Sequence, residues 1–369
     1  MRLWHNPKVL GNDYPEAFES SFSEQSFFEA RDALTTWEGY SETPLYELDD
    51  IAVELGIGRL LYKHEGGRFG LGSFKALGGA YAVYRLTQLS SQDESHSEPM
   101  TVCTATDGNH GRSVAWGASL FGLNCHIYIH EHVSEYREQA MKDYGAVVHR
   151  IKGNYDDSVR ACKADAELHG WKVVSDTSSG GDEIMPLWVM QGYTLMIEEL
   201  LLQLPTQPTH ILVQAGVGAL PAAVCAHLWM RLGANRPRFI CVESENAACL
   251  LDSAEAGELR AVEGNLETLM AGLACGEVSK IAWPILSVGT HDFVAISDRF
   301  VAPAMRRLAR TPQHIQAGES GVAGLAALLE AQSEDKLLEL GIDETSCVLL
   351  LGTEGVTDPH LYEKLTNDA

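Results

Sequence analysis

The 369-residue sequence predicts an α/β fold with two lobes, built from twisted, mostly parallel sheets covered by helices. Short apolar runs alternate with helix-length stretches over most of the chain, the pattern of parallel strands joined by right-handed crossovers. The length exceeds what one compact core usually organises. A hydrophobic share of 45% with 34 glycines fits a turn-rich globular chain and not a disordered one.

In order, Arg59–His64 reads as a strand and Phe74–Leu89 as a helix. Thr101–Thr106 is a strand, followed by a helix from His110 to Phe121. Asn124–His130, Ala146–Ile151 and Trp171–Ser175 are further strands, separated by amphipathic helices that begin at Glu135 and Tyr155. A polar loop, Ser178–Glu183, leads into a long helix through Trp188 and Leu200. The second series is strand His210–Val213, helix from Gly218, strand Arg238–Val242, helix from Asn246 and a last strand, Cys347–Leu351. The polar run Ser90–Glu98 reads as a solvated loop at a lobe boundary, and Pro205–Pro208 as a second break. No regulatory domain is expected after the last strand.

The 51 acidic and 27 basic residues give a formal net charge of -24. That balance argues against nucleic acid, whose phosphates need clustered Lys and Arg, and against an anionic membrane surface. No apolar run reaches the length of a membrane helix, and Met1–Pro7 lacks a signal-peptide core. A cytoplasmic protein is expected. Its eight cysteines form no C-x-x-C pair and read as reduced, buried side chains. His126, His130 and His132 share one face of a strand or its end, but no Cys or Asp cluster backs them, so no metal site is expected.

Ligands of open α/β sheets gather at the carboxyl ends of strands, and four loops qualify. In Gly70–Lys75, Lys75 follows Phe74 at the opening of a helix poor in charge. Desolvation there would lower its pKa and favour a Schiff base, while a snorkelling surface lysine is an equal alternative. Thr104–Arg112 follows a strand and opens a helix. There Asn109 can hydrogen-bond a ring hydroxyl and Asp107 offers a carboxylate, or either simply caps the helix. In Gln214–Leu220, small residues would let backbone amides cradle a phosphate, although Pro221 rules out a dinucleotide fingerprint. Leu350–Asp358 would present the Thr353 hydroxyl at the ligand edge, or make an ordinary turn.

Together and in this order, the four loops resemble the tryptophan-synthase-β type (fold type II) of pyridoxal-phosphate-dependent enzymes. Within that family the sequence is similar to the diaminopropionate ammonia-lyases from about Pro44 to Asp358. The similarity rests on Arg68–Leu71, Thr106–Arg112, Asn154–Asp157, Trp188–Tyr193, Glu267–Leu273 and Thr353–Gly355. The resemblance implies pyridoxal 5'-phosphate held covalently by Lys75, with Asn109 at its phenolic oxygen. It places Gly216, Val217, Gly218, Ala219 and Leu220 at the phosphate and Thr353 at the pyridine nitrogen. A neutral hydroxyl there does not hold the ring nitrogen protonated, so loss of a β-substituent competes well with transamination.

The resemblance also assigns Asp107 and Asp176 as the acid/base pair, one for each enantiomer. The activity it implies is α,β-elimination of D- or L-2,3-diaminopropionate to pyruvate and ammonia through aminoacrylate. A dehydratase acting on another β-substituted amino acid, such as a β-hydroxy amino acid, stays open. So does a non-catalytic cofactor-binding protein that kept the fold. The sequence departs from the family at Ser178–Glu183, where aromatic residues are expected. That loop could widen the pocket or alter a lid, and Asp182 and Glu183 could meet a substrate ammonium or stay solvated. The resemblance further implies a homodimer and a smaller lobe at 98–176, with 1–97 and 177–369 forming the larger lobe. The expected partner is a small amino-acid substrate, with no nucleic acid and no membrane.

Overall fold

The computed structural model describes residues 1–90, 99–106, 108–178 and 183–367. Most of the expected boundary loop 90–98 therefore lies outside the described residues, as do Asp107 and Asp182. The chain divides into two compact units. One comprises Met1–Glu24, Glu42–Gly67 and Met196–Ala369, the other Gln25–Ser41 and Arg68–Leu195.

Eleven strands are described: β1 (Arg2–His5), β2 (Leu45–Glu47), β3 (Arg59–His64), β4 (Thr101–Ala105), β5 (Asn124–His130), β6 (Val147–Ile151), β7 (Lys172–Val173), β8 (His210–Gln214), β9 (Arg238–Ser244), β10 (Asp292–Ile296) and β11 (Cys347–Gly352). The first unit holds a seven-stranded sheet in the order β1-β10-β9-β8-β11-β3-β2. Its interior strands run parallel, and only the edge strands β1 and β2 pair antiparallel. Every residue of β8, β10 and β11 is buried, which is why β8 and β11 read as continuous apolar runs and not as alternating ones. The core gathers Leu212, Ile240, Val242, Val294, Val348 and Leu350 from this sheet with Leu325, Leu328 and Leu329 of the helix Ala323–Ser333. Each such aliphatic side chain contributes about 1.5–3 kcal/mol on burial.

The second unit holds a four-stranded parallel sheet, β6-β5-β4-β7. Its small core joins Cys103 and Tyr128 of the sheet to Cys162 and Ala166 of the helix Tyr155–His169. The unit is wider than the 98–176 segment expected from the sequence, because the helix Lys75–Ser90 packs closely on the helix Asn109–Phe121. The approach is built on glycine. A Cβ at Gly79 would sit 2.6 Å from Ser113 Oγ, and one at Gly117 would sit 2.8 Å from Ala80 Cα. Ser113 secures the contact by donating to the Lys75 carbonyl (2.7 Å) and accepting from the Ala80 N–H (3.0 Å). The long helix Ile184–Gln203 closes on the same helix, where a Cβ at Gly192 would collide with the Leu77 carbonyl.

The predicted elements recur with boundary shifts of at most three residues; β1, β2 and β10 are additions, as are the helices Glu24–Leu34, Asp49–Leu55, Trp283–Gly289, Val301–Arg310, Ala323–Ser333 and Pro359–Asn367. β1 and β2 are short edge strands without continuous apolar character, so their sequence carries little strand signal.

Candidate active site

Lys75 is the first residue of the helix Lys75–Ser90, directly after the buried Ser73 and Phe74. The sequence suggests an apolar setting for its ammonium, but the structure supplies a partner. Lys75 Nζ donates to Asp176 Oδ2 at 2.5 Å. The Phe74 ring lies 5.6 Å from the same nitrogen and packs at 4.6 Å on the Tyr193 ring. The apolar character of the helix is real; the counter-charge comes from 101 residues further along the chain.

Asp176 sits just past β7, where the Val174 N–H continues the ladder to the Cys103 carbonyl at 2.8 Å. His110 approaches the same carboxylate, with Nδ1 3.8 Å from Asp176 Oδ2. The other ring nitrogen, Nε2, lies 2.9 Å from the Val174 carbonyl. A carbonyl only accepts, so Nε2 carries the proton and the lone pair of Nδ1 faces Asp176. Burial lowers the His110 imidazole below its ordinary value; Asp176 opposes this and Lys75 reinforces it. Burial alone would raise the Asp176 carboxyl, yet His110 and Lys75 outweigh it and hold the group well below the usual carboxylate range. At neutral pH the unit thus presents an ammonium, a carboxylate and a neutral imidazole around one point.

Asn109, half-buried, opens the helix Asn109–Phe121 as its first residue and is not the cap that the sequence left open. Gly108 occupies the cap position without a side-chain bond. Thr106 Oγ1 serves instead, accepting from the N–H groups of Gly108 (3.0 Å) and Gly111 (3.2 Å).

In the first unit, the loop after β8 and the loop after β11 leave neighbouring parallel strands at their carboxyl ends. Gly216–Gly218 leads into the helix Ala219–Leu232. Gly218 has φ +98°, a left-handed conformation that glycine adopts without strain, and no side-chain oxygen caps the helix there. The first N–H groups of a 14-residue helix are therefore not engaged by a side-chain cap at that position. Thr353, buried just beyond β11, accepts a hydrogen bond from Gln214 Nε2 at 2.7 Å, and the same nitrogen donates to the Leu351 carbonyl at 2.8 Å.

Each unit thus assembles its own share of the predicted residues: Lys75, Asp176 and Asn109 in one, Gly216–Leu220 and Thr353 in the other. Taken unit by unit, the donors are of the kinds pyridoxal phosphate uses: a primary amine suited to its aldehyde in one unit, and in the other an uncapped helix N-terminus after small residues and a buried hydroxyl, suited to a phosphate and a ring nitrogen. His110 and Gln214 contact candidate residues but have no assigned role in the sequence reading. The signal for His110 is its place beside Asn109 in the Gly108–His110 motif; Gln214 gives none, because strand ends often carry a polar residue. Of the polar loop, Glu183 is described and exposed.

Comparisons with known proteins agree with this chemistry. The family described as pyridoxal-phosphate dependent enzyme matches residues 36–352. Diaminopropionate ammonia-lyase of Escherichia coli strain K12 is 37% identical over 348 residues, 89% of this chain and 87% of that protein. The enzyme of the same description from Salmonella typhimurium is 38% identical over 355 residues, 88% of each chain. A crystal structure of the Escherichia coli enzyme in complex with an aminoacrylate-PLP azomethine reaction intermediate superposes with a TM-score of 0.90. It is 36% identical in sequence, over 99% of this chain and 96% of that one. The chain therefore belongs to the fold type II family of pyridoxal-phosphate-dependent enzymes, as a relative of the diaminopropionate ammonia-lyases.

Proposed function

We propose that this protein is a carbon–nitrogen lyase that removes ammonia from 2,3-diaminopropionate and releases pyruvate and a second ammonia. The observation that carries the reading is the Lys75–Asp176 pair, an amine and a carboxylate 2.5 Å apart, in a chain of this family.

Pyridoxal phosphate, when bound, supplies an electron sink conjugated to the substrate's α-carbon. Lys75 would hold it covalently through Nζ, Asn109 would bind its phenolic oxygen, Gly216–Leu220 its phosphate and Thr353 its pyridine nitrogen. Asp176 has two tasks in this reading. It takes the proton that the Lys75 ammonium must give up before its nitrogen can bond to carbon. It also serves as general base toward the α-proton of one enantiomer. It is ionised at neutral pH, as a proton acceptor must be. His110 borders the same carboxylate, with Nδ1 3.8 Å from Asp176 Oδ2. Asp107, which lies outside the described residues, is proposed as the base for the other enantiomer on the strength of the Thr106–Arg112 motif.

The substrate is a small amino acid, and the altered Ser178–Glu183 loop bears on which β-substituent is expelled. A homodimer is proposed on the family resemblance, checked by sedimentation equilibrium of the holoenzyme. The eight free cysteines suit a reducing compartment, which supports a cytoplasmic location.

The test is pyruvate release from D- and L-2,3-diaminopropionate, with both serine enantiomers alongside. Release from both diamines at rates well above either serine is the expected result. Serine turnover far above both diamines would replace the reading with a dehydratase.

A further inference from the structure

The amide of Gln214 has a fixed orientation. One of its terminal atoms lies 2.8 Å from the Leu351 carbonyl oxygen and 2.7 Å from Thr353 Oγ1. A carbonyl oxygen only accepts, so that atom is the NH2 nitrogen and not the amide oxygen. An amide nitrogen carries two protons and accepts none. One proton goes to Leu351, and the other is directed at Thr353. The hydroxyl of Thr353 is consequently the acceptor in this contact, and the proton it carries must be presented to something other than Gln214. Gln214 is 2% exposed and Thr353 3%, so water offers little competition for either group.

We infer that Gln214 is a positioning residue that sets the polarity of the Thr353 hydroxyl, keeping its proton available and so favouring donation toward the cofactor's pyridine nitrogen. The inference rests on the proposal that Thr353 faces that nitrogen. A hydroxyl free to rotate can either donate to a neutral pyridine nitrogen or accept from a protonated one. Accepting from Gln214 uses one of the two lone pairs of Thr353, and no described residue accepts the Thr353 proton, so donation to a neutral ring nitrogen is the arrangement that gives that buried proton a partner. The chain thereby disfavours a protonated ring nitrogen twice, by using a hydroxyl where a carboxylate would hold the proton and by fixing which way that hydroxyl points. A neutral ring is the weaker electron sink, which favours expulsion of a β-substituent over transfer of the amino group.

The sequence around Gln214 has a further feature consistent with this role. Gln214 ends β8 and Thr353 follows β11, and these strands are neighbours in the parallel sheet. The backbone ladder therefore holds both residues in place, and the amide bridges the two loops at their roots. Neither side chain needs a flexible loop to find the other. The Gln214 side chain pins Thr353 through the same nitrogen that is anchored on Leu351, so rotating the amide would cost both bonds.

The experiment is 15N NMR of holoenzyme reconstituted with pyridoxal phosphate labelled at the ring nitrogen, for the wild type and for Gln214→Met, Gln214→Glu and Thr353→Val. Gln214→Met removes the donor at nearly constant volume. Gln214→Glu reverses the bond, because a carboxyl group can accept the Thr353 proton. The wild type should give the signal of an unprotonated nitrogen. Both Gln214 variants should raise the protonated fraction about tenfold, the worth of one neutral hydrogen bond. The ratio of amino-group transfer to elimination should rise with it. Circular dichroism and cofactor stoichiometry identify any variant that fails to fold, and the other Gln214 variant then carries the test. A wild-type signal in the folded Gln214 variants, with a shifted signal in Thr353→Val, overturns the inference and leaves the Thr353 assignment standing. An unchanged signal in Thr353→Val, or a protonated nitrogen in the wild type, overturns the Thr353 assignment itself and the inference with it.

Discussion

Lys75 Nζ and Asp176 Oδ2 lie 2.5 Å apart although 101 positions separate them in the chain. The pair joins the start of one helix to the loop beyond the short strand β7, and neutral His110 faces the same carboxylate. In the role proposed for Lys75, an amine that would form a covalent bond has a carboxylate already in contact to take its proton.

Lys75→Ala should abolish the visible absorbance of the purified holoprotein and lower pyruvate formation by roughly 10³-fold or more. An unchanged spectrum would remove Lys75 from the cofactor's attachment point.

Asp176→Asn keeps the shape of the side chain and removes its ability to take a proton. One diaminopropionate enantiomer should lose about 10²–10⁴ in kcat/KM while the other is affected far less. Equal losses on both enantiomers would instead assign Asp176 to the handling of Lys75 and not to the α-proton.

Gly78 and Gly192 are expected to resist substitution. A Cβ at Gly78 would fall on the Tyr193 ring and within 2.7 Å of the Val189 carbonyl, and one at Gly192 would strike the Leu77 carbonyl. Gly192→Ala should cost about 1–3 kcal/mol in urea denaturation, with Gly78→Ala similar, because backbone atoms block the added methyl.

Gly218→Ala tests the loop proposed to hold the cofactor's phosphate. The φ of +98° costs an L-residue about 1–2 kcal/mol, and the added Cβ would lie 3.0 Å from Leu286 Cδ1. Weaker retention of pyridoxal phosphate on dialysis is expected, with Lys75 still reactive toward the free aldehyde. Retention equal to the wild type would separate this loop from the phosphate.

Stability should fall as the solution is acidified below pH 6.5, and His291 is one source. Burial, followed by the Arg236 guanidinium, pushes its imidazole from 6.5 to about 4. Its Nδ1 accepts from the Phe239 N–H at 3.0 Å, a bond that protonation would break. Between these two values the unfolded chain binds the proton more readily than the folded one. The stability present above 6.5 is therefore lost as pH falls toward 4. His291→Asn, which keeps an acceptor for Phe239, should lose less between pH 7 and pH 5 in urea midpoints. Buried His110 shifts in the same direction, so the loss should shrink without vanishing.

The sequence by itself determined the alternation of strands and helices, the four chemistry-bearing loops at strand ends and, through their order, the family. Those features are local: strand and helix periodicities, small residues before a helix, and motifs such as Ser73–Lys75 are complete within a few positions. β10 and the helices Glu24–Leu34, Asp49–Leu55, Trp283–Gly289, Val301–Arg310, Ala323–Ser333 and Pro359–Asn367 were not read from the sequence, and neither were β1 and β2, because short edge strands gain their structure from the neighbour they pair with. Tertiary structure alone decided that Lys75 meets Asp176, that His110 is held neutral against the same carboxylate, and that Gln214 donates to Thr353 from 139 positions away. Such contacts leave no periodic trace, because hydrogen-bond direction and protonation state depend on which groups the fold brings within 3–4 Å of each other, and that is settled only when the sheets and helices pack.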